Sequence, residues 1–190
     1  MANITNNLLV KGAKGKVGNQ LVYRTRGDKT IITKMPEQKP GRKATGKQSE
    51  KRDQLIYASL YAQGVMLSDK LRKKYEKKAT DTLTWHNLAC RDFLVAPVVK
   101  KINIKEYNGL PDSQIIIKAK DDFRVIRVKV KIISASGGVV EEGDAFLDPL
   151  NRNYWIYTAK QSNTDTMGTR VIATAFDIPN NKGIMEVDVG

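Results

Sequence analysis

The spacing of apolar residues changes once along this chain, near Pro97. Upstream, a first stretch alternates. Leu21-Val22-Tyr23-Arg24-Thr25-Arg26 and Lys29-Thr30-Ile31-Ile32-Thr33-Lys34 are rich in β-branched and aromatic residues, and Gly27-Asp28 between them is a tight-turn signal. That pattern predicts a β-hairpin. From Met35 to Gly46 the density of Pro36, Pro40, Gly41 and Gly46 excludes helix and central strand and leaves an extended arm. Thr45 and Gln48 then fit a capping box, in which hydroxyl and amide satisfy orphan N–H groups reciprocally. The helix it opens runs to about Leu67, and Leu55, Ile56, Leu60, Tyr61, Val65 and Met66 surround it. An apolar girdle of that kind predicts burial on more than one face, the second against another subunit. Ser68 caps a shorter helix with Leu71 and Tyr75 on its inner side, and a third helix starts near Thr84 and places Trp85, Leu88, Ala89 and Phe93 together.

After Val98 the period is two. Ser113–Ala119 and Arg124–Ile133 read as strands, and in the second Ile126, Val128, Val130 and Ile132 alternate with Arg127, Lys129 and Lys131. Val139–Phe146 follows a Gly137-Gly138 turn, and its Glu141 and Glu142 are placed to pair with those lysines. Further strands are expected at 153–159, 169–176 and 184–189. Six or seven short strands with regular turn signals predict an immunoglobulin-like β-sandwich. The fold class is therefore α+β in two modules: residues 1–97, a hairpin, arm and helices, and residues 98–190, an all-β sandwich.

Charge sharpens that division. Residues 1–80 carry 19 Lys and Arg against 6 Asp and Glu, and residues 81–190 carry 14 of each. The whole excess of +13 thus lies in the first module, where self-repulsion costs stability and an acidic partner repays it. Arg24 and Arg26 on the hairpin, Lys39, Arg42, Lys43 and Lys47 on the arm and helix start, and Lys70, Lys73, Lys74, Lys77 and Lys78 on the second helix form the candidate polyanion-binding set. Phosphates would gain affinity there by counterion release, without sequence reading. Two partners stay open, an acidic protein surface and nucleic acid.

No catalytic constellation is present, so a non-enzymatic protein is expected. Gly41-Arg42-Lys43-Ala44-Thr45-Gly46-Lys47 matches the opening of a nucleotide-binding loop, but Gln48 stands where a magnesium-holding hydroxyl belongs and no buried strand precedes it. Arg26-Gly27-Asp28 is accounted for by turn geometry. His86 and Cys90 are single residues of their kind and make a poor metal pair. Asp121, Asp122 and Asp177 sit in loops that could meet around calcium, yet they lack the dense spacing of calcium loops, and turn roles account for them. No cofactor and no metal is expected. The N-terminus has no basic and apolar leader, one cysteine allows no internal disulfide, and no apolar run approaches the roughly 20 residues that span a bilayer.

Gly15-Lys16-Val17-Gly18-Asn19, Tyr23-Arg24, Thr45, Gln48, Arg52 and Ala58-Ser59-Leu60-Tyr61-Ala62 resemble a group of uncharacterised proteins from Bacteroidetes and from crAss-like phages. So do Asp92-Phe93-Leu94, Asp121-Asp122-Phe123, Glu141-Glu142-Gly143 and Asp177-Ile178-Pro179-Asn180. The resemblance implies an immunoglobulin-like C-terminal domain and a phage context. The expectation is a structural protein of a virion or similar assembly, associated with capsid or tail proteins. It would lie in the virion or host cytoplasm, multimeric in context, away from membranes, with Leu55, Ile56, Leu60, Tyr61, Val65 and Met66 at the interface.

Overall fold

The structure, a computed structural model, describes residues 2–4, 6–37, 41 and 43–190, with the backbone alone at 2, 3 and 26. Lys39 and Arg42, and the side chain of Arg26, lie outside the described residues. The chain divides into two compact units, Met1–Leu88 and Ala89–Gly190.

In the first unit, β1 (Ala2–Asn3), β2 (Gly15–Val17), β3 (Leu21–Arg26) and β4 (Lys29–Lys34) form an antiparallel sheet in the order β1-β4-β3-β2. Gly27 turns the β3–β4 hairpin at φ 57°, a left-handed conformation that costs glycine nothing. The expected hairpin thus becomes the centre of a larger sheet. Its two added strands are too short to carry a readable alternation. Among the described side chains of these strands only Val22 and Thr30 are buried. A sheet this size is stable alone only when a hydrophobic face is packed.

Helix α1 (Gly46–Met66) opens on the expected capping box: Gln48 N–H donates to Thr45 Oγ1 at 3.3 Å, and Thr45 N–H donates to Gln48 Oε1 at 3.2 Å. Its buried residues are Ala58, Ala62 and Val65, one stripe at i, i+4 and i+7. The chain itself therefore covers one face of α1, not two. Helix α2 (Asp69–Glu76) is capped by Ser68, whose Oγ accepts from Leu71 N–H at 3.5 Å. Tyr75 is fully buried, and its hydroxyl lies 3.0 Å from that of Tyr61. Helix α3 (Trp85–Leu94) carries the chain from one unit into the other. The division falls inside α3, upstream of Pro97, because Asn181 Nδ2 donates to the carbonyls of Asp92 (3.2 Å) and Phe93 (3.1 Å), tying the helix end to the second unit.

The second unit is one antiparallel sheet of seven strands: β5 (Val98–Asn103), β6 (Gln114–Lys120), β7 (Arg127–Ile133), β8 (Val139–Leu147), β9 (Tyr154–Thr158), β10 (Arg170–Phe176) and β11 (Lys182–Asp188). The order is β11-β10-β7-β8-β9-β6-β5. Alternation sends Ile115, Ile117, Ala119, Val128, Val130, Ile132, Val171, Ala173 and Ala175 into one core with Trp155 and Tyr157. Ile126 departs from the expected alternation. It precedes β7, is exposed, and only its N–H joins the sheet, donating to Phe176 O. Strand β8 changes partner along its length: Val139–Ala145 pair with β7, and only Phe146 and Leu147 pair with β9. The sheet's two end strands meet where Gly183 of β11 packs on the Pro97 carbonyl ahead of β5, so the sheet is nearly closed into a barrel. Glu142 forms the expected ion pair with Lys129, while Glu141 turns inward and caps Lys160 N–H, accepting at 3.0 Å. Among the described residues no helix is long and apolar enough to cross a membrane.

Candidate functional site

The sequence-predicted residues separate into two sets on the first unit. Arg24, Lys43, Lys47, Lys70, Lys73, Lys77 and Lys78 are exposed and Lys74 is half-buried. Helix α2 balances its own Arg72 with Asp69 (3.7 Å) and Glu76 (3.0 Å) and turns its lysines outward. Its charges suit the helix dipole, with Asp69 first and Lys73 and Lys74 last. Helix α1 is built against its dipole: no acid stands in its first turn, which carries Lys47. Lys47 and Lys51 at i, i+4 add a like-charge pair. An anion relieves both penalties. A surface hollow of about 550 Å³ lies there, lined by Lys43, Ala44, Lys47, Gln48, Lys51 and Arg52, with no carboxylate in its wall. Sequence reasoning named Lys43 and Lys47 and missed Lys51 and Arg52. Their i, i+4 and i, i+5 spacing from Lys47 within the predicted helix was the available signal.

The second set is apolar. Leu55, Ile56, Leu60 and Met66 are each more than half exposed, and Tyr57 (61%) and Leu67 (92%), absent from the predicted interface, join them. Tyr61 and Val65 do not belong to that surface. Tyr61 is half-buried with its hydroxyl on Tyr75, and Val65 is 2% exposed on the Ala58–Ala62 stripe. Two causes act: the helical period turns Ile56, Tyr57 and Leu60 away from the face shared by residues 58, 62 and 65, whereas Leu55 falls on that face, three residues before Ala58, but in the stretch 46–57 that is exposed on every side. Fully burying a side chain of that size is worth about 1.5–3 kcal/mol, so one left half in water forgoes on the order of half of that.

In the second unit the predicted loop carboxylates meet in a different combination. Asp92 of α3, Asp121 and Asp177 place one oxygen each within 4.8 Å of one another, whereas Asp122 points away, its Oδ2 accepting from both Nη2 (2.8 Å) and Nε (3.0 Å) of Arg91. Asp92 and Asp177 are buried. Asp121 Oδ2 accepts from Phe123 N–H (2.9 Å) and Arg124 N–H (2.7 Å), and its Oδ1 is closed to solvent with no hydrogen bond. Asp177 accepts from Asn181 N–H (2.6 Å) and Asn181 Nδ2 (2.8 Å). Burial pushes the Asp177 carboxyl above its ordinary range; the Asn181 bonds oppose this and the Asp121 charge adds to it. Three carboxylates are the donors a hard divalent cation takes, and these residues are the ones that could hold one. Asp92 was missed because it comes from a helix, far from the loops in sequence.

His86 stacks edge-on to Trp85 at 5.8 Å, and burial raises the Cys90 thiol above its ordinary value, which makes it a poor nucleophile. The buried polar groups Asn163, Thr169 and Tyr107 are joined to one another (2.8 and 3.4 Å) and brace a loop.

No family model matches the chain, and no curated protein matches it. Among solved structures it is similar to an engineered protein whose crystal structure came from the Northeast Structural Genomics Consortium. The identity is 23%, over 48% of this chain and 18% of that one, with a TM-score of 0.31, a likeness that carries no argument about fold or function.

Proposed function

We propose that this chain is a non-enzymatic structural protein of a phage virion or related assembly. Its first unit anchors it on an acidic protein surface of the capsid or tail, and its second unit is an immunoglobulin-like interaction domain. The observation that carries the reading is the pairing, on one helix, of an uncovered apolar surface (Leu55, Ile56, Tyr57, Leu60) with a cation-lined head (Lys43, Lys47, Lys51, Arg52). Apolar side chains cost nothing when a protein partner covers them, and the cations favour an acidic one. The phage context rests on the sequence resemblance, and placement in the virion or host cytoplasm follows from that context.

The strand order supports the immunoglobulin-like reading of the second unit. Taking β5 to β11 as strands A, B, C, D, E, F and G, one half of the sheet is A-B-E-D and the other is D-C-F-G, with β8 serving both. Trp155 lies on the E strand of this scheme, where antibody domains place their core tryptophan on C.

The hollow at the head of α1 favours nucleic acid as the second reading, since clustered cations bind phosphates without reading sequence. The test is a purification from the native source after nuclease treatment. Retention of the chain in particles, and its loss on Leu55→Asp with Leu60→Asp, is the expected result. Release of the chain by nuclease alone favours the second reading and refutes the first.

A further inference from the structure

The N-terminal sheet is a domain without its second layer. Register puts paired residues on one face, so Val17, Leu21, Tyr23 and Ile32 line one side with Lys34 and the Thr25–Thr30 pair at its margins, and Lys16, Val22, Arg24, Ile31 and Thr33 line the other. The first side is apolar in its middle and toward β2, with Lys34 at its margin held by Glu37, yet Val17 is 55% exposed and Leu21, Tyr23 and Ile32 are only partly covered. Leu8 and Leu9, in the loop before β2, are almost fully exposed. Strand β2 ends the sheet, and among the described residues no strand pairs with its outer edge. Backbone groups on such an edge are a template for another chain.

Charge decides which chain. The first 34 residues hold seven lysines and arginines and one acid, Asp28. A second copy pairing at β2 with the two-fold axis through the strand's middle residue, the register that uses all of Gly15–Val17, would set Lys16 against Lys16, and like charges directly opposed are destabilising. An edge lysine of this kind disfavours self-pairing while leaving the edge open to an acidic strand. Nucleic acid would meet the cations but would leave Val17, Leu21 and Ile32 uncovered. Tyr23 is the single aromatic side chain on that face, short of the stacking platforms that nucleic-acid-binding sheets present.

We infer that the sheet is completed by a strand of an acidic partner protein. That strand is added at the β2 edge, its apolar residues continuing the Val17–Leu21–Tyr23–Ile32 face and its carboxylates meeting Lys14 and Lys16. This rests on the docking reading above and deepens it: the partner is named as an acidic, alternating β-strand.

The test is amide hydrogen exchange on the full chain, alone and with three probes: a short peptide alternating valine and glutamate, the same peptide with lysine for glutamate, and duplex DNA. Alone, β3 and β4 should exchange at least about a hundred-fold faster than β7 and β10, whose side chains reach a closed core. The glutamate peptide should slow β2, β3 and β4, and the lysine peptide and the DNA should not. Val17→Asp should abolish the response while leaving β7 and β10 protected, which shows that the chain is still folded. Four results overturn the inference: a sheet as protected as β7 without any probe, protection that rises with protein concentration alone, protection by DNA instead of the glutamate peptide, or no response to that peptide. Loss of particle incorporation in the Leu55→Asp, Leu60→Asp chain with any of these results leaves the docking reading standing and removes this one.

Discussion

Replacing Gly183 by alanine probes the closure of the seven-stranded sheet. Gly183 lies in β11 opposite Ala175, with φ outside the left-handed region, so alanine meets no backbone strain there. In an ordinary strand the change gains stability by about 0.5–1 kcal/mol, through lower unfolded-state entropy. Here a Cβ would sit 2.7 Å from the Pro97 carbonyl carbon, closer still to its oxygen, and 3.3 Å from Val98 N. All three obstacles are backbone, and Val98 and Val99 are held by register to Lys120 and Ala119 of β6. Relief requires β11 and β5 to part, so the cost belongs at the upper end of overpacking, about 3 kcal/mol. For a unit of this size that lowers the melting temperature by roughly 10–20 °C. Urea and thermal unfolding of the full chain, followed by Trp155 fluorescence and by exchange in β10, would read it. The control is Gly64→Ala in α1, where nothing lies within 4 Å and about 1 kcal/mol of stabilisation is expected. A neutral or stabilised Gly183→Ala chain would refute the close approach of β11 to the start of β5.

Leu60→Asp alone should change stability by no more than about 0.5 kcal/mol, since the side chain is more than half exposed, and should weaken association; a large melting shift would mean that the chain itself covers this face. Thr45→Ala should cost about 1 kcal/mol by opening the capping box, measured as loss of α1 helicity by circular dichroism. Replacing Lys47, Lys51 and Arg52 by serine should weaken binding to heparin and flatten its dependence on salt, because fewer counterions are displaced. Asp177 has a folded-state pKa above its unfolded value, so its ionised form is a cost near neutrality. That cost is removed as pH falls through the folded pKa toward the ordinary aspartate value of about 3.9, and the wild type should gain stability relative to Asp177→Asn over that acidic range. Glu142, lowered by Lys129, works with the opposite sign, losing its contribution as pH falls; the difference between the two chains cancels it.

Helices and long strands were legible in this sequence because their signals are local. Thr45 with Gln48 and Ser68 mark the helix starts, Gly27-Asp28 marks the hairpin, and alternation marks β6, β7 and β10. Strands β1 and β2 were not legible, since two or three residues carry no period, and their pairing depends on the hairpin they flank. Helix α1 shows a different limit. Apolar residues on nearly every side were read as burial on two faces, but the chain buries only the small ones, Ala58 and Ala62, with Val65. Composition reports which side chains want cover; only coordinates report which of them the chain covers itself. The carboxylate cluster was half legible: Asp121 and Asp177 lie in recognisable loops, while Asp92 and the diversion of Asp122 to Arg91 follow from where α3 ends.

The shared strand β8 also sets the tempo of folding. Hairpins β7–β8 and β10–β11 close between near neighbours, but joining them, and joining β6 to β9, brings together residues about forty positions apart, such as Val130 with Ala173 and Ile117 with Trp155. Loop entropy is lost before those pairings return anything, which places this unit among the slow, millisecond-to-second folders. Only Phe146 and Leu147 join β8 to β9, so at this seam the ladder between the two halves is two residue pairs long, and the shared core and the β11–β5 approach hold them elsewhere. That seam is where the native sheet is expected to part first when it breathes, as a book opens at its spine.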